Sequence, residues 1–211
     1  MNNESYPDIL LGLETAAHRA YKRGMQTGNG GNLSAKILNQ DLMIVKSSGG
    51  SFIDCSKTGS GFVLTDLDGN IKSKTSDSPT REVFLHGLIY KLRPNIGGIM
   101  HCHSPWAISW SFTKNELPVI TQHLKLKFNC PIPIIEIPSP VVRPEDEHYI
   151  SELLNKNPKL PAFILLGHGI VALGKDILEA EHNAELVEET AKVTIMYNIM
   201  EKLGIIINKL E

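Results

Sequence analysis

Cysteine, net charge and long apolar runs are all scarce in this 211-residue chain, and each scarcity removes a class of protein. Cys55, Cys102 and Cys130 are odd in number, and their spacing matches neither a disulfide framework nor a Cys-x-x-Cys site. A formal charge of −2, from 21 basic and 23 acidic residues, supplies no bulk field for nucleic acid or for an anionic membrane surface. Any anion site must therefore be local. No stretch reaches the roughly 18 to 20 apolar residues that span a bilayer. Met1-Asn2-Asn3-Glu4-Ser5 lacks the basic-then-apolar pattern of a secretion signal. A cytoplasmic protein with no membrane anchor is expected. Repeats and low-complexity tracts are also missing, so one domain over residues 1–211 is expected.

Apolar spacing predicts a helix from about Tyr6 to Gln26, then short strands at Leu33 to Leu38, Leu42 to Lys46 and Gly61 to Asp66. Ser78-Pro79 reads as the N-cap and first position of a helix running to about Leu92, where Arg93-Pro94 stops it. A strand at Ile99 to Ser104 follows, then a helix at Pro105 to Phe112 and an extended Pro-rich stretch from Pro131 to Pro144. A short helix at Glu145 to Lys156, a strand leading to His168 and a long helix from about Asp176 to Leu203 complete the chain. Asp176-x-x-Glu179 reads as a capping box for that last helix. Interleaved strands and helices predict helices layered on a sheet, and the Pro-rich extended segments argue against purely parallel winding.

The chemistry is concentrated at a few points. In a strand, residues i and i+2 face the same way, so His101 and His103 project side by side. Gly167-His168-Gly169 supplies a third imidazole at the mouth of another apolar run. One histidine on an apolar strand is ordinarily a hydrogen-bonded core residue, but three with one position left open is the layout of a catalytic metal site. Cys102, between the pair, should face the opposite side and pack.

Gly28-Asn29-Gly30-Gly31-Asn32 and Ser47-Ser48-Gly49 are loops whose N–H groups can turn toward an anion, although glycine-rich loops are often only turns. The expected helix start adds the N–H groups of Thr80 and Arg81 at the positive end of the dipole, with the Thr80 hydroxyl and the Arg81 guanidinium beside them. Glu82 is the candidate acid/base, and next to a cation it could also serve as a ligand in the empty enzyme. Its bland alternative is dipole complementation, worth about 0.3–1 kcal/mol.

In order, Gly31-Asn32-Leu33-Ser34, Ser48-Gly49, Pro79-Thr80-Arg81-Glu82, His101-Cys102-His103-Ser104 and Gly167-His168-Gly169 resemble the class II aldolase/adducin family over almost the whole chain. The resemblance implies a three-layer α/β/α domain with a largely antiparallel central sheet. It also implies a homotetramer with active sites between neighbours, and a zinc or similar divalent ion, with manganese and cobalt as other options. It makes His101, His103 and His168 the metal ligands, with Glu82 the catalytic carboxylate and a further ligand. Gly31, Asn32, Ser48, Gly49, Thr80 and Arg81 would hold a phosphate. The expected activity is a lyase that cleaves a carbon–carbon bond of a phosphorylated ketose through a metal-stabilised enediolate. Alternatives within the family are a decarboxylase of a 3-oxo sugar acid phosphate or a methylthioribulose-phosphate dehydratase; outside catalysis, the alternative is an adducin-like scaffold. Where the aldolases carry two serines before the glutamate this chain has Thr80 and Arg81, and where they carry a proton-donating tyrosine it reads Thr121-Gln122-His123. His123 or a neighbouring subunit would then supply the acid.

Overall fold

A computed structural model describes residues 6–205; Met1–Ser5, the segment inspected for a secretion signal, lies outside them. Among the described residues, six α-helices are interspersed with eight strands. They are α1 (Pro7–Lys22), β1 (Asn32–Lys36), β2 (Leu42–Lys46), β3 (Phe62–Asp66), α2 (Val83–Leu92), β4 (Gly98–Cys102) and α3 (Pro105–Ser111). Then come β5 (Glu116–Leu117), α4 (Gln122–Lys127), β6 (Ile132–Ile135), α5 (Glu147–Lys156), β7 (Ala162–Leu165), β8 (Gly169–Gly174) and α6 (Ile177–Lys202). The strands form one mixed sheet in the order β3-β2-β1-β4-β8-β7-β6-β5. Only β6 and β7 run parallel; the other described pairs are antiparallel.

Strand alternation divides the interior in two. Leu33, Ala35, Met100, Cys102, Ile170 and Ala172 pack in one cluster with α1, α3 and α6. Met43, Ile99, Val171, Leu173 and Phe163 pack in the other with α2 and α5. Consecutive side chains of β4 and β8 thus enter different clusters, as a pleat covered on both faces requires. Close approach depends on small residues. A Cβ on Gly87 would lie 1.9 Å from the Leu67 carbonyl oxygen, and one on Gly98 2.3 Å from the Asp176 backbone. These contacts seat α2 and the start of α6 directly on the backbone beneath them.

The expected helix start at Ser78-Pro79 differs from the structure in a way that matters for the site. Residues 78–80 are extended: Ser47 bridges Pro79, Ser48 N–H donates to the Ser78 carbonyl at 2.9 Å, and Thr80 N–H donates to the Lys46 carbonyl at 2.9 Å. Proline fits such an edge as well as it fits a helix start. The helix therefore begins at Val83, with Glu82 in the N-cap position. The N–H of Thr80 is consumed by this pairing and does not stand at a helix dipole. In the long helix α6, Glu181 and Glu188 are buried. Glu188 accepts the N–H groups of Trp106 and Ala107 at 3.0 and 2.8 Å, capping α3 from a distance. The start of α6 keeps half of the expected capping box: Asp176 accepts the Glu179 N–H at 2.8 Å, while the Glu179 carboxylate accepts the N–H of Lys175 at 2.6 Å and not that of Asp176. Among the described residues, no helix is long and apolar enough to cross a membrane.

Candidate metal centre

Antiparallel pairing brings the start of β1, the end of β4 and the start of β8 to one place. Asn32 stands directly opposite His101, and Cys102 opposite Ile170. His101 ends up beside His103 and His168, with ring centroids 5.0 and 4.7 Å away, and the latter two are 4.8 Å apart. One ring nitrogen from each lies within 4.8 Å of the others. Three imidazole nitrogens gathered this closely could share one ion.

The hydrogen-bond pattern orients the set. His101 Nδ1 donates to the Ile170 carbonyl at 2.9 Å, which leaves the Nε2 lone pair facing the other two rings. That Nε2 is buried and has no hydrogen-bond partner, although it lies 3.3 Å from Glu82 Oε2. A buried nitrogen with no other partner has the lone pair that metal ligation requires. Burial, reinforced by the other imidazoles, lowers the pKa of His103 and of His168 to about 4, so both are neutral at pH 7 and free to ligate. His103 is held through its backbone N–H, which donates to the buried Gln26 Oε1 at 2.7 Å. Gly31, at φ +61, lets the chain pass this amide; a Cβ there would lie 2.4 Å from Gln26 Oε1.

Glu82 arrives from the α2 side. Asn32 Nδ2 donates to its Oε2 at 2.8 Å, while its Oε1 is buried without a partner. Burial pushes this carboxyl up, but His101 and the Asn32 amide, then His168 and His86, outweigh it and hold the group below its ordinary value.

A cavity of about 500 Å³ opens over these groups, lined by Gly28 to Asn32, Lys46, Ser48, Gly49 and Thr80 to Glu82 together with His103 and His168. All the residues expected to hold an anion line this one space. Asn32 is nevertheless largely committed to Glu82 and to His86, whose Nε2 lies 2.5 Å from its Oδ1. Arg81 is exposed at the cavity and has no ion-pair partner among the described residues. His123 does not join them. It lines a separate cavity of about 850 Å³ with His182, Lys127 and Glu189, so within one chain it is not placed to protonate anything at the three imidazoles.

Sequence reasoning missed Lys46, Gln26 and His86. Lys46 is only 2 % exposed yet lines the cavity, its Nζ donating to the Ser47 carbonyl at 3.2 Å. Burial lowers its pKa, against the opposing pull of Cys55 and Asp54. A lysine closing an apolar strand just before Ser47-Ser48-Gly49 was a readable signal. His86 stands in no motif of the sequence; it is fully buried, and burial lowers its pKa from 6.5 to about 3.

His86 makes the metal-free protein acid-sensitive in a defined window. The unfolded chain binds this proton near pH 6.5 and the fold resists it down to about pH 3. Stability is therefore complete above pH 6.5 and falls as the pH drops toward 3, by about 2 kcal/mol at pH 5 from this group alone. His103 and His168 act in the same direction. Urea unfolding of chelator-treated protein at pH 7.5 and pH 5 measures the drop.

The pattern described as Class II Aldolase and Adducin N-terminal domain matches residues 13–195. A 3-oxo-tetronate 4-phosphate decarboxylase of Haemophilus influenzae is 30% identical over 177 residues, 82% of this chain and 80% of that protein. An L-fuculose phosphate aldolase of Methanococcus maripaludis is 29% identical over 187 residues, 86% and 92% of the two chains. In fold, the chain is similar to the crystal structure of L-fuculose-1-phosphate aldolase from Thermus thermophilus. The TM-score is 0.76 at 18% identity, covering 92% of this chain and 96% of that one.

Proposed function

The chain belongs to the class II aldolase and adducin family, and on that premise we propose that it is a divalent-metal-dependent lyase. Its substrate is a phosphorylated sugar, in which it breaks the carbon–carbon bond next to a carbonyl. The observation that carries this reading is the buried, unpartnered Nε2 of His101, set between two further neutral imidazoles and the free oxygen of Glu82. His101, His103 and His168 would hold the ion, with Glu82 close enough to join them; neutral imidazoles suit zinc, manganese or cobalt. An ion bound there would supply a positive charge able to polarise the substrate carbonyl.

The residues of the chain do the rest. Gly31, Ser48, Gly49 and Thr80 line the phosphate end, and Lys46 contributes its charge. Anchoring the phosphate fixes which carbon faces the imidazoles, turning remote binding into orientation of the reacting bond. Glu82 moves the proton through Oε1, the oxygen that Asn32 leaves free. Glu82 is the one carboxylate lining this cavity among the described residues, and a second copy would complete the site, in keeping with the distant His123 and with Val193, Met196 and Met200 exposed along α6. This reading extends to a cytoplasmic homotetramer.

Aldol cleavage of a ketose phosphate is the first form of the reaction. Decarboxylation of a 3-oxo sugar acid phosphate is the second, favoured by the unpaired Arg81, which suits a substrate carboxylate. Mass spectrometry of metal-loaded protein with both substrate panels tests the reading. A three-carbon ketose phosphate with an aldehyde identifies the aldolase, and loss of carbon dioxide the decarboxylase. Unchanged substrates across both panels at full metal occupancy would sink the lyase reading. A Lys46→Met variant is expected to raise KM for the phosphorylated substrate about 10-fold or more, the scale of one charged hydrogen bond, with kcat little altered; steady-state kinetics reads it directly.

A further inference from the structure

Glu82, His86 and Tyr90 follow one another at i, i+4 and i+8 along the α2 side, while Asn32 and Ser34 are i and i+2 on β1. Four helical residues advance about 6 Å and two strand residues about 6.6 Å, so the two rows stay in step and interleave. The contacts follow that order. Tyr90 donates its hydroxyl to the Ser34 carbonyl at 3.1 Å, Ser34 Oγ lies 2.7 Å from His86 Nδ1, His86 Nε2 lies 2.5 Å from Asn32 Oδ1, and Asn32 Nδ2 donates to Glu82 at 2.8 Å. His86 itself is completely buried.

The direction of each bond is fixed from the carboxylate end. A carboxylate only accepts, so Asn32 must present Nδ2 to it and Oδ1 to His86. Oδ1 only accepts, so His86 Nε2 carries the proton. Neutral imidazole then leaves Nδ1 bare, and Ser34 donates to it. Every donor along the row points toward Glu82. If the Asn32 amide turned over, its oxygen would face the carboxylate and that bond would become a repulsion.

We propose that His86 is a positioning residue whose Nε2–H locks the Asn32 amide in the orientation that offers N–H to Glu82, leaving Oε1 as the working oxygen. This rests on Glu82 being the acid/base, and the variants separate the two ideas. His86→Leu removes the lock at similar volume, whereas His86→Gln keeps a donor where Nε2 stood. The expected result is a fall in kcat of about 10- to 100-fold in the leucine variant, the scale for losing a supporting partner. KM and bound zinc per chain are unchanged, and most of kcat returns in the glutamine variant. Wild-type kcat in folded His86→Leu, or equal damage in both variants, overturns the inference while leaving Glu82 in place. Full turnover in Glu82→Gln removes the premise and the inference with it. Nitrogen-15 NMR of the His86 ring in the wild-type protein gives an answer that needs no variant to fold: an Nε2-protonated neutral tautomer supports the lock, and an Nδ1-protonated one refutes it.

Discussion

In the Glu82→Gln protein, turnover falls by roughly 100- to 10,000-fold, the range for loss of a positioned proton carrier, while the protein still binds one divalent ion per chain. The substitution changes one atom, so Asn32 can still donate to the remaining carbonyl and the fold is unaffected. What is lost is the negative charge beside His101 and the capacity to hold and release a proton at Oε1, the buried oxygen with no other partner. Single-turnover kinetics with metal-loaded protein, alongside elemental analysis, measures both halves. Turnover within a few-fold of wild type would show that the proton travels by another route.

His101→Ala is expected to be as severe by a different path. His101 is wholly buried, is held in one tautomer by the Ile170 carbonyl, and contributes the central lone pair of the three. Without it only two imidazoles remain, and metal affinity falls by more than the roughly 10- to 100-fold that follows from disturbing a mere supporting partner. Wild-type activity should vanish on chelation and return with added zinc, manganese or cobalt; the variant should recover at none of them. Equilibrium dialysis against a chelating indicator provides the affinity. Metal binding unchanged in His101→Ala would mean that the three rings are a packed cluster and not a ligand set.

The imidazole site was readable because the His-x-His spacing is local: the strand ends at Cys102, two residues short of the expected Ser104, yet His103 follows it directly and its ring stays beside that of His101. What had to be assembled from afar was not readable. The strand Gly169–Gly174, central partner of β4, shows in sequence only as four apolar residues between glycines, too short to distinguish strand from buried helix. Ser78-Pro79-Thr80-Arg81-Glu82 satisfied every local rule for a helix start, yet the end of β2 captured its backbone first. His86 sat four residues beyond Glu82, a spacing open to inspection, but its partners Asn32 and Ser34 belong to a different part of the chain. Glu188 likewise looks like a solvent-facing acid until the N–H groups of Trp106 and Ala107 are placed beside it. Periodicity finds the face of an element; it does not find what that face will meet.

The three imidazoles also constrain the order in which this protein can mature. His101 and His103 arrive with β4, whereas His168 is brought to them only when β8 pairs antiparallel alongside, after α3 through β7 have been threaded between. No early, local segment of the chain holds the complete ligand set. The β4–β8 contacts that would gather all three rings around an ion are among the most non-local in the sheet, a class of contact that forms slowly. An ion held by all three would therefore act as a latch on the assembled sheet, slowing the escape from the native state more than it hastens the approach to it.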